Sequence, residues 1–197
     1  MKSFKFTLAF ISLVFYGHSM AVETTRILNA SGDSQLQRSL ETLVDNQGLT
    51  AAVQAKELAL VLIIVTDPNT PHLAELNGRN MVYAASLPKI AILLGAAVAL
   101  DEGRLVLDDE LKADLDSMIR YSSNASATRI LELVGREELL SILQSPEYNF
   151  YDQNESGGLW VGKDYSPSSA YRRDPLSGLS HGATAFQAAR FYYELQT

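Results

Sequence analysis

Residues 80–101 read NMVYAASLPKIAILLGAAVALD, and this stretch decides how the rest of the chain must be arranged. Asn80 to Ala84 have extended character, Ser86-Leu87-Pro88-Lys89 follow, and Ile90 to Leu100 then pass without one polar side chain. A surface helix is apolar along one stripe, whereas a helix apolar all round needs other elements on every side. Ile90–Leu100 is therefore expected to be the central, buried helix. Pro88 suits its first turn, where no intrahelical N–H bond is lost.

Working toward the N-terminus, Leu58 to Val65 form an uninterrupted apolar run rich in Val and Ile, closed by Asp67-Pro68-Asn69. Its length predicts a strand covered on both faces. A loop with Pro71 and Asn77-Gly78 leads on to Asn80–Ala84, so the two extended stretches are expected to pair as a long-looped hairpin. Before them, Leu36, Leu40, Leu43 and Val44 mark an amphipathic helix, with Ser34 as its expected cap and Gly48 as its stop.

Toward the C-terminus the pattern is mainly helical. Leu111, Leu115, Met118 and Ile119 predict one helix; Ala125–Val134, ended by Gly135, and Arg136–Leu143, ended by Pro146, predict two more. Thr184 with Gln187 opens a last helix over Ala185–Leu195 in the manner of a capping box. Residues 145–182 have no clear period. They hold Tyr148, Phe150, Tyr151, Trp160, Tyr165 and Tyr171, too many aromatics for a solvated linker, and predict a packed irregular excursion.

The chemistry sits at the head of the central helix. Ser86 and Lys89 are three apart, on one helical face, so an ammonium can reach the hydroxyl. The start of a helix leaves N–H groups free and carries the positive end of the helix dipole, which favours a developing oxyanion. To act as a base Lys89 must be neutral, and holding a lysine deprotonated at pH 7 costs about 4–5 kcal/mol without environmental help. Burial against the apolar helix can supply a shift of that order. Spacing alone is weak evidence: with 19 serines and 6 lysines in 197 positions, about 0.6 such pairs are expected by chance.

Ser122-Ser123-Asn124 reads two ways. Ser and Asn are preferred N-caps, and a helix begins here. A hydroxyl that passes a proton to a leaving nitrogen, with an amide that holds a carbonyl, is also what a Ser/Lys acyl-transfer site requires.

Ser86-x-x-Lys89 followed by Ser122-x-Asn124 resembles the first two motifs of the penicillin-recognising serine enzymes, the class A β-lactamases and penicillin-binding proteins. The resemblance covers most of the chain after the first 21 residues. It implies an α/β (α+β) fold of the β-lactamase/transpeptidase type, a mainly helical region with an antiparallel sheet. It implies Ser86 as the acylated nucleophile, Lys89 as its activating base, Ser122 as the proton relay and Asn124 as the group that binds the substrate's amide side chain. The implied partner is a small molecule, a β-lactam or a peptidoglycan stem peptide. The family's Lys-Thr-Gly strand motif has no counterpart, since none of the six lysines is followed by such a pair. The expectation is that only the N-terminal strands of the sheet are present and that the missing strands and closing helix lie beyond Thr197. Ser86 and Ser122 are also only 36 residues apart, which implies an abbreviated helical region. The Glu-x-x-Leu-Asn loop that serves deacylation in class A is absent too, so a D,D-peptidase-like enzyme that releases its acyl group slowly, or a non-catalytic remnant, remains the alternative.

Lys2 and Lys5, an apolar stretch from Phe6 to Tyr16, and small residues at Ser19 and Ala21 read as a signal peptide over residues 1–21. Cleavage after Ala21 would leave 176 residues with a net charge of −9, exported to the periplasm or the exterior. The apolar stretch is shorter than the roughly 18–20 residues that span a bilayer, so no stable membrane anchor is expected. There is no basic stripe for a nucleic acid. Absence of cysteine excludes thiol catalysis, disulfides and Cys-ligated metal. His72 and His181 read as a surface and a loop residue rather than metal ligands, Gly157-Gly158 and Gly162 form no phosphate loop, and no cofactor is expected. Trp160, Lys163, Asp164, Tyr165, Arg172, Arg173 and Asp174 either line a cleft or are packing and surface residues of the irregular segment.

Overall fold

The computed structural model describes residues 20–166 and 172–196. The predicted signal peptide falls almost wholly outside them, as does Tyr171. The fold is mixed α+β: about half of the described residues are helical, and the strands form small antiparallel sheets.

Helix α1 (Met20–Ala30) is followed by α2 (Ser34–Asn46) and a single turn of α3 (Thr50–Gln54). The cap of α2 is Asp33, not Ser34. The Asp33 carboxylate accepts from the N–H groups of Gln35 and Leu36 at 2.8 and 2.9 Å, and a carboxylate is the stronger acceptor for those free donors. Leu40 and Val44 are buried as expected, while Leu43 stays exposed.

Strands β1 (Leu60–Ile64) and β2 (His72–Leu76) pair antiparallel, from Leu60 opposite Leu76 to Ile64 opposite His72. The hairpin partner of β1 is thus β2, a segment expected to be loop, and not Asn80–Ala84. Nor is β1 the strand covered on both faces. That strand is β2: Leu73 packs with Leu28, Phe186 and Tyr193 on one side, and Ala74 packs with Leu40 and Val44 on the other. Successive side chains of a strand point to opposite faces, so burial of two neighbours requires cover on both. On β1 the cover is incomplete, and Leu62 and Ile64 are each 41% exposed.

Asn80–Ala84 contributes β3 (Val82–Tyr83) to a second sheet. There it pairs with β7 (His181–Ala183), which also pairs with β6 (Trp160–Val161). A third antiparallel pair joins β4 (Tyr151–Asp152) to β5 (Gly157–Gly158). His181 is therefore a buried strand residue and not part of a loop.

Helix α4 (Lys89–Asp101) is central, as its composition requires. Ile90, Ala91, Ile92, Ala96, Val98 and Ala99 are buried, packed among α5 (Asp109–Tyr121), α6 (Asn124–Val134), α7 (Arg136–Gln144) and β6. A side chain at Gly95 would stand 2.9 Å from a Leu139 methyl, so glycine lets α7 approach closely. On α5, Leu111, Leu115 and Met118 are buried, but Ile119 is exposed. Helix α8 (Ala185–Gln196) is capped by Thr184, whose hydroxyl accepts from the Gln187 N–H at 3.2 Å.

The described parts of the segment 145–182, residues 145–166 and 172–182, hold buried aromatics. Phe150, Tyr151 and Trp160 are each 1% exposed. The segment is pinched at Gly162, whose carbonyl accepts from the Arg172 N–H at 2.8 Å, while the Trp160 indole donates to the Arg172 carbonyl at 3.1 Å. A Cβ on Gly162 would lie 1.9 Å from that carbonyl oxygen, so only glycine fits the pinch.

Candidate active site

Ser86 lies between β3 and α4 in a run of tight turns. The N–H groups of Leu87, Lys89, Ile90 and Ala91 bond to the carbonyls of Ala84, Ser86, Leu87 and Pro88, each three residues back. Regular helix begins at Lys89, so Ser86 stands ahead of the helix rather than in its first turn. Pro88, which has no N–H to give, is the cap residue. In such 3₁₀-type turns, side chains i and i+3 eclipse. This brings the Lys89 amine within 3.2 Å of Ser86 Oγ. The turn starts from Ala85 at φ 46°, a left-handed conformation uncommon for a residue with a Cβ. Among the described residues no acceptor takes the Ser86 N–H, which stays available.

The Ser-Ser-Asn triplet reaches the same amine from the turn between α5 and α6. Ser122 ends α5 in a left-handed conformation, φ 54° and ψ 34°. Its hydroxyl lies 3.0 Å and its carbonyl oxygen 2.5 Å from Lys89 Nζ. Asn124 Oδ1 lies 2.7 Å away. Of the two readings of the triplet, capping falls to the middle residue: Ser123 Oγ accepts from the Ser126 N–H at 3.2 Å. Ser122 and Asn124 are left free to face Lys89. The turn is braced beneath by Asp114 of α5, which accepts from Arg129 of α6 at 2.8 Å through Nε and again through the second guanidinium nitrogen.

Lys89 is 3% exposed. Among the described residues no carboxylate lies within ion-pair distance of its nitrogen. Four neutral oxygens surround an ammonium that has three protons to donate. Burial accordingly holds the amine below the ordinary lysine range. A neutral amine in this setting accepts from one hydroxyl and donates to others, the state a general base needs.

Sequence reasoning left one neighbour unassigned. Tyr165, from the irregular segment, places its ring 4.7 Å from Lys89 Nζ, and its hydroxyl donates to the Ala85 carbonyl at 3.3 Å. Its ring lies 4.4 Å from that of His181, whose Nε2 faces the Lys163 carbonyl at 3.2 Å. Burial lowers the His181 pKa and raises that of the Tyr165 phenol, so both are neutral at pH 7. No spacing rule links Tyr165 to residues 80 positions earlier; the only signal was the density of aromatics in a segment without a period.

The other residues of that segment do structural work. Trp160 packs against Tyr151. Asp174 accepts from the Tyr151 hydroxyl and from the N–H groups of Leu176 and Ser177 at 3.2 and 2.6 Å. Arg172 pairs with Glu137 at 2.7 Å and Arg173 donates to the Gly178 carbonyl at 2.7 Å. His72 is exposed and pairs with Asp33 at 2.8 Å. Among the described residues no group of three His, Cys, Asp or Glu side chains could hold a metal ion, and no helix is long and apolar enough to cross a membrane. The chain matches no protein-family model, no curated protein and no solved structure.

Proposed function

We propose that the chain is an exported serine hydrolase of the β-lactamase and penicillin-binding type, which opens an amide by forming an acyl-enzyme on Ser86. The observation that carries the reading is the buried Lys89 amine, without a carboxylate partner among the described residues, standing 3.2 Å from Ser86 Oγ and 3.0 Å from Ser122 Oγ. Lys89 takes the Ser86 proton as Oγ bonds to the substrate carbonyl carbon. The oxygen then carries negative charge, and the unpaired Ser86 N–H can donate to it. Collapse of the tetrahedral intermediate breaks the C–N bond. The proton held by Lys89 passes through Ser122 Oγ to the departing nitrogen. Asn124 Oδ1 is turned to Lys89, which leaves its Nδ2 as a donor for the substrate's side-chain carbonyl.

The substrate class is a β-lactam or a peptidoglycan stem peptide, and the lysine-led N-terminal stretch supports export. Hydrolysis of the acyl-enzyme needs a base for water. Among the described residues no carboxylate reaches the Lys89 amine. This favours a long-lived acyl-enzyme, as in a penicillin-binding protein, over rapid turnover.

The test is covalent labelling with a fluorescent penicillin, chased over time. Wild type should label, Ser86→Ala should not, and the label should persist on the scale of many minutes. Rapid release would assign a β-lactamase instead. Absence of labelling in the wild type would leave a non-catalytic remnant of the fold.

A further inference from the structure

We infer that Tyr165 is a positioning residue for this chemistry: its ring seals the Lys89 amine from water, and its hydroxyl holds the turn that presents Ser86. The inference rests on reading Ser86 and Lys89 as the acylating pair.

Three contacts fix the tyrosine. Its backbone N–H donates to Thr128 Oγ1 of α6 at 3.1 Å, its hydroxyl donates to the Ala85 carbonyl at 3.3 Å, and its ring packs 4.4 Å from that of His181 on β7. The backbone thus ties the residue to the helix that Asn124 begins, while its side chain bridges the strained residue before Ser86 and the strand beside β3. Among the described residues, the groups facing the Lys89 amine are Ser86 from the turn, Ser122 from the end of α5, Asn124 from α6 and the Tyr165 ring. His181 stands behind the ring, with Lys163 and Asp164 acting on it.

The ring acts on the amine in two opposing ways. Its π face attracts an ammonium, and its bulk keeps out the water that would solvate one. With no carboxylate within ion-pair distance of the amine among the described residues, the exclusion of water is the larger effect, and the ring favours the neutral base. The hydroxyl acts separately. Ala85 is held at φ 46°, and the bond to its carbonyl resists relaxation of the turn that sets the distance between Ser86 and Lys89.

Two substitutions separate the roles. Tyr165→Leu removes the ring, and Tyr165→Phe removes only the hydroxyl. The titration of Lys89 is followed by NMR of the full chain labelled with ¹³C-lysine, its signal identified among six lysines by its loss in Lys89→Arg. In Tyr165→Leu the Lys89 midpoint should rise by about one pH unit or more, and the pH profile of penicillin acylation should move up with it. In Tyr165→Phe the midpoint should stay at the wild-type value while acylation slows roughly 3–10-fold. A wild-type midpoint in a folded Tyr165→Leu overturns the sealing role, and wild-type acylation in Tyr165→Phe overturns the holding role. If Tyr165→Leu does not fold, Tyr165→Trp replaces it: the larger ring must keep the midpoint at or below that of wild type, and a rise overturns the proposal. If the wild type does not acylate at all, the functional reading fails, and the titration still judges the seal.

Discussion

Ser122 holds a left-handed backbone that costs a residue with a Cβ about 1 kcal/mol, and it offers Lys89 both a carbonyl and a hydroxyl. Glycine relieves that conformation and removes the hydroxyl. Ser122→Gly should raise the unfolding midpoint by about 2–4 °C and lower acylation at least roughly tenfold, read by thermal melts beside penicillin labelling. Lys89 sets stability against function in the same manner. Lys89→Met should lose acylation by about 10³-fold while matching or exceeding wild-type stability at pH 7. The sign follows from the depressed pKa of the buried amine. Below the folded pKa the ammonium is buried with its charge, and between the folded and the unfolded pKa folding must expel its proton, so both ranges cost the wild type stability. The advantage of Met is therefore full below the folded pKa and fades as pH rises toward the ordinary lysine value of about 10.4. Urea melts at pH 7 and pH 10 should show the gap closing. The serine–lysine spacing and the serine–asparagine spacing were legible as residues; that one amine gathers them both required the α5–α6 turn to be folded against α4.

Among the elements, α2 and α4 to α8 were legible, as were the extended stretches of β1 and β3, whereas α1, α3, β2 and β4 to β7 were not. Periodicity, Gly135 and Thr184 marked α5 to α8, because a surface helix writes its packing face into its own sequence, and unbroken apolarity marked α4. Strands β4, β5, β6 and β7 are two or three residues long, too short to show a period, and the pairing of β3 with β7 joins Tyr83 to Gly182, 99 positions on. The β2 strand escaped notice because cover on both faces erased the alternation that exposes a strand. The α5–α6 corner depends on the Asp114 carboxylate, which the Arg129 guanidinium holds below its usual range. Asp114→Ala should cost about 2 kcal/mol, less than a fully buried pair because Arg129 is half-exposed. A carboxylate with a depressed folded pKa stabilises at all pH values above its unfolded pKa of about 3.9 and loses that contribution as pH falls through the folded value. Wild type and Asp114→Ala should therefore converge only below about pH 4, as followed by denaturant melts across pH 2–7.

At the scale of the whole molecule, two regions differ in closure. Around α4 the core is covered on most sides, with Ala97 alone of the helix's apolar residues exposed. Strand β1, with the sequence LVLII, pairs on one edge only among the described residues and leaves Leu62 and Ile64 part-exposed. An open, uncharged, apolar edge invites pairing with another chain. Ile64→Lys should lower concentration-dependent association, measured by light scattering, and shift the melting midpoint by less than about 2 °C. The division of labour inside Ser122-Ser123-Asn124 also carries a consequence for selection. A library randomised at these three codons and screened for soluble protein alone should keep an N-cap residue at 123 and drift at 122 and 124. Screened for acylation, the same library should fix 122 and 124 and let Ser, Thr, Asp and Asn exchange at 123. Three adjacent letters would thus answer to two different pressures, and their variation would tell an enzyme from a remnant without a single assay of the purified chain.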